Sequence, residues 1–247
     1  MQFSNLQGGF ILKIIDGISV EIKGSGETIV FLHGFMSNKE SFYYQTEFLS
    51  KKYKTVAIDI TGFGGSKKLP YPYSLNDYVK DVINVITALG IKRYHLIAHS
   101  FGVRIGIRLA RIDDRLNKLV IIGGAGLKPK RKISYYYKVY KYKILKRFLP
   151  KEKMLSYGSQ EYKLLSGAMR ESFVMIVNEH LDSEISSIKN KTLIIYGEKD
   201  SETPLYMASK FSKKIKNSLL YIVKDCGHFC FTEKPNEVNV LIKEFLG

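Results

Sequence analysis

The sequence predicts an α/β fold in which a mostly parallel central sheet carries helices on both faces. Two observations predict it. Short, almost continuous apolar runs recur along the 247 residues, as buried parallel strands do. Amphipathic stretches with helical spacing lie between them, and strands that alternate with helices build sheets covered on both sides.

The first predicted element is a hairpin. Residues 10–15 and 18–22 flank an Asp16-Gly17 turn, which places an antiparallel pair at one edge of the sheet. Residues 75–89 carry apolar side chains at helical intervals and predict an amphipathic helix. The remaining predicted strands cover residues 28–32, 55–59, 94–98, 119–122, 193–196 and 219–223.

Residues 126–187 break this alternation. They contain no convincing parallel strand and have a helical pattern, which predicts an insertion into a core formed by residues 1–125 and 188–247. Residues 127–153 hold eleven Lys and Arg against one acidic residue, with five tyrosines interleaved. One face of this stretch is apolar and the other basic. The apolar face consists of Ile133, Tyr137, Tyr140, Ile144 and Phe148.

Composition limits the partners and the compartment. The net charge of +16 favours acidic partners and anionic ligands, without by itself indicating nucleic acid. No apolar run reaches the ~18–20 residues of a membrane span, and residues 1–5 show no signal-peptide pattern. Cys226 and Cys230 are too close in sequence for a typical structural disulfide, so we expect reduced thiols and a cytoplasmic location. With His228 they could supply three ligands, but a closed zinc site needs about four, so we expect no metal.

The segment Ala98-His99-Ser100-Phe101-Gly102 is the most informative in the chain. It follows a predicted strand and precedes a helical pattern over residues 103–110. A serine between a strand and a helix, with small residues two positions before and two positions after it, presents its hydroxyl on a strained turn, usually with the sequence G-x-S-x-G. Ala98 replaces the first glycine of that pattern.

A serine hydroxyl needs a base that takes its proton and a third group that orients the base. His228 follows the last predicted strand, where open parallel sheets build their sites, and is the best base among five histidines. Asp200 follows the strand at 193–196 and is the preferred acid. Glu198 and Asp225 are alternatives, and Asp200 could instead cap a helix.

Backbone donors for an oxyanion are predicted in two turns. The Gly34 turn follows the strand at 28–32, and the elbow at Ser100 follows the strand at 94–98. The donors would be the N–H groups of Phe35 and Phe101. A simple turn at the end of a strand is an equally good interpretation of Gly34.

Five segments in order resemble the α/β-hydrolase family. They are residues 32–35, 59–66, 98–102, 197–200 and 226–229, the last followed by Glu233-Lys234-Pro235. The resemblance implies a Ser100 nucleophile, a His228 general base, an Asp200 orienting acid and the two oxyanion donors. It also implies a helical lid after the sixth strand, formed by residues 126–187, and no metal or organic cofactor. Similar proteins that open epoxides or displace halide carry Asp at the elbow, so Ser100 argues against both reactions.

The predicted function is hydrolysis of a small-molecule carboxylic ester through an acyl-enzyme on Ser100. The lid would supply the substrate pocket, with Tyr136, Tyr137, Tyr140 and Phe173 as candidate lining residues. These side chains could equally serve only to pack the lid onto the core.

Other hypotheses remain open at this point. Chains with this resemblance also cleave carbon–carbon bonds or amide and peptide bonds. The basic lid is similar in organisation to that of pimeloyl-carrier methyl-ester esterases, and it could dock an acidic carrier protein or only present a solvated face. A non-enzymatic role in binding a ligand or an anionic surface is a further alternative, whereas no nucleic-acid partner is expected.

Overall fold

A computed structural model of the protein describes residues 4–7, 9–130, 140 and 160–247. Within these residues, nine strands form one sheet, in the order β1-β2-β3-β5-β4-β6-β7-β8-β9. The strands are β1 (Ser4–Gln7), β2 (Phe10–Ile15), β3 (Ile18–Lys23), β4 (Thr28–Leu32), β5 (Lys54–Ile58), β6 (Tyr94–His99), β7 (Leu116–Ile122), β8 (Lys191–Gly197) and β9 (Ser218–Val223).

The strands from β5 to β9 run parallel to β4, and β1, β2 and β3 form an antiparallel edge. The predicted hairpin is confirmed. Its turn residues Asp16 and Gly17 have φ of 50° and 81°, the left-handed conformations that a two-residue hairpin turn requires. The four-residue strand β1 is not predicted from the sequence, so the strand counted there as the sixth is β7.

The helices of the core are α1 (Tyr43–Leu49), α2 (Leu75–Ala88), α3 (Phe101–Ile112), α6 (Leu205–Lys214), α7 (Cys230–Glu233) and α8 (Pro235–Leu246). Between β7 and β8, the described residues include α4 (Gln160–Leu164) and α5 (Gly167–Asn178). Helix α2 begins with a capping box, in which Ser74 and Asp77 satisfy each other's backbone N–H groups. In the part of the chain that the structure describes, Lys39–Phe42 and Ile185–Ser187 form 3-10 helices.

Two apolar layers cover the two faces of the sheet, as predicted. Alternate strand residues such as Val30 face α2, α3 and α6, whereas their neighbours such as Phe31 face α1, α7 and α8. Each fully buried aliphatic or aromatic side chain stabilises the fold by about 1.5–3 kcal/mol relative to an exposed one. The sheet is therefore held rigidly from both sides, and the loops at its carboxyl edge stand on a fixed base.

The described part of the 126–187 segment packs against the core. Leu181 donates its N–H to the carbonyl of Gly126 at 2.8 Å, which brings the two ends of the segment together. The buried Arg104 of α3 donates to the carbonyls of Ile176 and Glu179, both at 2.7 Å. In the described residues, no helix combines the length and apolar character needed to span a bilayer.

Candidate active site

Ser100 lies in a strained turn between β6 and α3. Its φ is 50°, a left-handed value that a residue with a side chain rarely adopts. Its N–H donates to the carbonyl of Ile122 at 3.0 Å, which ties the turn to the end of β7. The Ser100 side chain makes no capping hydrogen bond to α3, so the hydroxyl is not used to start that helix. Backbone strain held by neighbouring structure is typical of functional sites.

Gly102 is required for this turn, whereas the first small residue is not required to be glycine. A Cβ at Gly102 would lie 2.3 Å from the carbonyl oxygen of Leu32. Ala98 instead is fully buried within β6, paired with Leu32 on one side and Ile121 on the other. Ala98 is not among the residues with positive φ, so its methyl group fits the strand and the departure from the G-x-S-x-G pattern has no structural cost.

Asp200 and His228 are joined directly. His228 Nδ1 lies 2.8 Å from Asp200 Oδ2, and the two side chains are 5 % and 0 % exposed. Asp200 follows β8 and His228 follows β9, so adjacent parallel strands place the two residues side by side. A carboxylate at Nδ1 holds the imidazole in the tautomer whose Nε2 can accept a proton.

The Asp200 carboxylate also organises its own turn. Oδ1 accepts the N–H groups of Glu202 at 2.9 Å and Thr203 at 2.8 Å, and Oδ2 accepts the Thr203 hydroxyl at 2.7 Å. Burial alone would raise the pKa of Asp200, but the hydrogen bonds from His228 and Thr203 outweigh it and lower that pKa below its ordinary value. The acid is thus ionised at neutral pH. Helix α6 is capped by Pro204, so Asp200 is not its N-cap.

Ser100 and the Asp200–His228 pair adjoin the carboxyl end of β7. Ser100 donates its N–H to the carbonyl of Ile122, and a Cβ at the next residue, Gly123, would lie 3.0 Å from His228 Nδ1 and 3.4 Å from Asp200 Oδ2. Within the described residues, His228 Nε2 is buried and has no hydrogen-bond partner, so it is not bonded to the Ser100 hydroxyl. Hydrogen bonds of this kind are often long without substrate and tighten when substrate binds.

His99 packs against His228 and supports it. Its ring lies 4.6 Å from the His228 ring between centroids, and its Nε2 is 3.1 Å from the His228 carbonyl oxygen. Burial, together with the nearby His228 ring, lowers the pKa of His99 to about 3. His99 therefore stays neutral and does not compete as a base.

The Gly34 turn stands beside the serine. A Cβ at Gly34 would lie 3.4 Å from the Ser100 Cβ, and the rings of Phe35 and Phe101 are 5.7 Å apart. The Gly102 N–H donates to the carbonyl of His33 at 3.1 Å, which binds the two turns together. Among the described residues, neither Phe35 nor Phe101 donates its N–H in a hydrogen bond. Both donors are thus free to meet a substrate.

The two alternative acids, and the histidine before Gly34, are engaged elsewhere. Glu198 accepts the N–H of Asp225, and Asp225 forms an exposed pair with Lys199 at 2.7 Å. His33 Nε2 accepts the N–H of Ile60 at 3.0 Å, and burial lowers the pKa of His33 to about 4.

Phe173 and Tyr140 are the predicted pocket residues that lie within the described part of the chain. The Phe173 ring of α5 packs on Phe35 at 5.0 Å between centroids. Tyr140 is 66 % exposed. Tyr136 and Tyr137 lie outside the described residues, as does the rest of the apolar face predicted between residues 133 and 148.

An aromatic wall that the sequence does not predict lies beside Ser100. Phe63 packs on Phe35 at 4.9 Å, and Tyr78 packs on Phe101 at 5.2 Å. A cleft of about 370 Å³ opens next to this wall, lined by Met36, Ser37, Asn38, Gly62, Phe63, Gly64, Leu165 and Met169.

Two supporting contacts are not predicted from the sequence. Thr203 holds Asp200 as described above, and the fully buried Asp59 accepts the N–H of Lys39 at 2.7 Å and its ammonium at 2.6 Å. Both contacts depend on the conformation of the loops that carry these residues, which a sequence motif does not specify. Among the described residues, no group of three or more His, Cys, Asp or Glu side chains is placed to hold a metal ion.

Comparisons with known proteins agree with this fold. A family model described as alpha/beta hydrolase fold matches residues 27–149. The AB hydrolase superfamily protein YisY of Bacillus subtilis is 29 % identical over 92 % of this chain and 94 % of its own. The 2-hydroxy-6-oxo-6-phenylhexa-2,4-dienoate hydrolase of Comamonas testosteroni is 25 % identical over 90 % and 88 %.

Solved structures show the same fold. An esterase from Exiguobacterium antarcticum superposes with a TM-score of 0.74 at 22 % identity, covering 98 % of this chain and all of that one. The order of the strands, the turn at Ser100 and the family match lead to one conclusion: the chain belongs to the α/β-hydrolase superfamily and is a hydrolytic enzyme.

Proposed function

We propose that the protein hydrolyses carboxylic esters of small molecules, with Ser100 as nucleophile, His228 as general base and Asp200 as the acid that orients it. His228 Nε2 takes the proton of the Ser100 hydroxyl while Oγ attacks the carbonyl carbon. The ester C–O bond then breaks, and His228 returns that proton to the departing alcohol. A water molecule activated by His228 releases the acid from Ser100 in the same way.

The observation that carries this proposal is the buried hydrogen bond of 2.8 Å between Asp200 and His228 beside the strained turn at Ser100. It supplies a base whose proton-free nitrogen, Nε2, has no other hydrogen-bond partner in the described part of the chain. The turn presents a hydroxyl that no helix cap occupies. The proposed site thus combines a base, an acid that orients the base and a hydroxyl that no helix cap occupies, as nucleophilic catalysis by serine requires.

Stabilisation of the oxyanion is assigned to the backbone N–H groups of Phe35 and Phe101. Both are unused within the described residues and lie on turns that Gly102 joins. Removing one donor from such a site costs about 10²–10³-fold in rate.

The substrate is an ester with an apolar or aromatic acyl group. Phe35, Phe63 and Phe173 line one side of the site with rings at 4.9 Å and 5.0 Å from Phe35, and such a wall favours an apolar ligand. We assign residues 126–187 to a lid over this wall, because the ends of the segment meet at Gly126 and Leu181 while α5 reaches Phe35. Docking of an acidic carrier would depend on the basic stretch of residues 127–153, most of which lies outside the described residues.

Cleavage of a carbon–carbon bond is the second candidate. Two relatives at 25 % identity over 90 % of this chain are named as hydrolases of 2-hydroxy-6-oxo-dienoates. The same serine, base and acid would serve that reaction, so the substrate assay must decide.

A serine-directed probe and an ester series test the proposal. A fluorophosphonate should label the protein, and Ser100→Ala should abolish labelling and reduce hydrolysis of p-nitrophenyl esters by about 10⁴-fold or more. Ser209→Ala, a serine on α6 outside the site, is the matched control and should label like the unaltered protein. Labelling that persists in Ser100→Ala would refute the nucleophile. Labelling at Ser100 with no ester hydrolysis would favour the carbon–carbon reaction, to be assayed on a 2-hydroxy-6-oxo-dienoate.

A further inference from the structure

Glu202 places a carboxylate beside the nitrogen that would exchange protons with the substrate. Its Oε2 lies 3.5 Å from His228 Nε2, and its side chain is 59 % exposed. The Glu202 backbone belongs to the Asp200 turn, because its N–H donates to Asp200 Oδ1 at 2.9 Å. The carboxylate thus stands at the rim of the site on a fixed backbone, free to meet a ligand.

The other carboxylates near this loop have partners of their own. Asp200 binds the opposite nitrogen of the same ring, and Glu233 accepts the N–H of Gly227 at 3.1 Å. Glu198 accepts the N–H of Asp225, and the Asp225 carboxylate pairs with Lys199. In the described part of the chain, Glu202 is therefore the acid that presents its charge to Nε2.

The position of Nε2 determines which part of a substrate senses this charge. A general acid must come within about 2.6–3.2 Å of the atom that it protonates, and here that atom belongs to the leaving group. The leaving atom then lies within about 7 Å of the Glu202 carboxylate. At that separation a unit charge still interacts measurably across a partly solvated gap. The acyl group lies on the other side of the scissile bond and is less affected.

We propose that Glu202 is a specificity-determining residue that makes the enzyme prefer leaving groups with a positive charge over those with a negative charge. The inference rests on the proposed function, because it takes His228 as the group that protonates the leaving atom. This preference is opposite to the one expected from the net charge of +16, which attracts anions at long range. Glu202 acts at short range and reverses that preference at the leaving group.

Three thioesters of butyrate test the proposal. Their leaving groups are thiocholine, the neutral 3,3-dimethylbutanethiol of nearly the same shape, and 3-mercaptopropionate, and the released thiol is measured. For each variant, kcat/KM on the charged thioesters is divided by that on the neutral one. Glu202→Gln removes the charge and keeps the size of the side chain. Glu244→Gln, on the exposed face of α8, removes the same charge far from the site and is the matched control.

We expect Glu202→Gln to reduce the preference for thiocholine over 3-mercaptopropionate roughly tenfold at low ionic strength, and less in 0.5 M salt. Glu244→Gln should leave the preference unchanged. An unchanged preference in Glu202→Gln, or an equal change in Glu244→Gln, would overturn the inference while the proposed function stands. Absence of both fluorophosphonate labelling and turnover of all three thioesters would overturn the proposed function, and the inference with it.

Discussion

Two buried carboxylates at the same edge of the sheet have similar surroundings and different partners. Asp59 follows β5, and Asp200 follows β8. Each accepts two backbone N–H groups: those of Lys39 and Gly65 for Asp59, and those of Glu202 and Thr203 for Asp200. In both cases burial alone would raise the pKa, and hydrogen bonds lower it below the ordinary value. The backbone hydrogen bonds and the burial therefore do not distinguish the two carboxylates.

The difference lies in the side chain that each carboxylate pairs with. Asp59 meets the Lys39 ammonium at 2.6 Å, whereas Asp200 meets the His228 imidazole at 2.8 Å. An ammonium group keeps its proton at neutral pH, while an imidazole exchanges one there. The first pair can only hold two loops together. The second can also support proton transfer, which is why we assign catalysis to it.

Replacing Asp200 gives the largest expected effect. In Asp200→Asn, the amide oxygen takes the place of Oδ1, which faces two N–H donors. The NH₂ group then faces His228 Nδ1 and donates to it, which moves the ring proton to Nε2 and removes the base. We expect kcat on a p-nitrophenyl ester to fall about 10⁴-fold.

A thermal melt measured beside the kinetics separates this loss from unfolding. A fall in kcat of less than tenfold in a folded variant would show that Asp200 does not orient the base.

Replacing Asp59 should instead lower stability. Asp59→Asn removes the charge that pairs with Lys39, whose side chain is 11 % exposed, and places an NH₂ group against donors. Breaking a buried pair costs about 3–5 kcal/mol, which for a chain of this size lowers Tm by roughly 10 °C. The kcat of the folded protein should change by less than about threefold, since Lys39 exchanges no proton with substrate.

Asp225→Asn is the control, because it breaks the exposed pair with Lys199 and should move Tm by no more than about 3 °C. A loss of kcat in Asp59→Asn as large as in Asp200→Asn would remove the distinction between the two carboxylates.

Lowering the pH should reduce the difference in Tm between the unaltered protein and Asp59→Asn. Because hydrogen bonds lower the pKa of Asp59 in the fold, its ionised form contributes full stability above the unfolded value near 3.8. That contribution is lost as pH falls through the lower folded value. We expect the Tm of the unaltered protein to fall a few degrees more than that of Asp59→Asn between pH 6 and pH 3. Parallel Tm curves would contradict the assigned role.

Much of the fold could be predicted because its signals are local. Apolar runs such as residues 28–32 mark buried strands whatever they pair with, and the Asp16-Gly17 turn marks a hairpin. Strand β1 was not predicted, because its four residues are too few to show a strand pattern. The order of strands in the sheet depends on long-range packing, which local patterns do not report.

The candidate site shows the same division. Ser100, Asp200 and His228 follow predicted strands, and parallel strands bring their carboxyl ends to one edge of the sheet. Thr203 and Glu202 lie close to Asp200 in the chain, but their contacts depend on the turn conformation. The approach of Lys39 to Asp59 and of Phe173 to Phe35 joins residues far apart in sequence.

The sequence by itself determined the fold class, the serine turn between a strand and a helix, and the candidates for acid and base, because each depends on residue type and on position relative to a strand. Only the tertiary structure decided which buried carboxylate meets an imidazole and which meets an ammonium, and that Ala98 fits where glycine is usual. It also decided that Glu202 stands beside Nε2. These outcomes depend on distances of a few ångströms between separate loops, which are set by the packing of the whole sheet and not by any one segment.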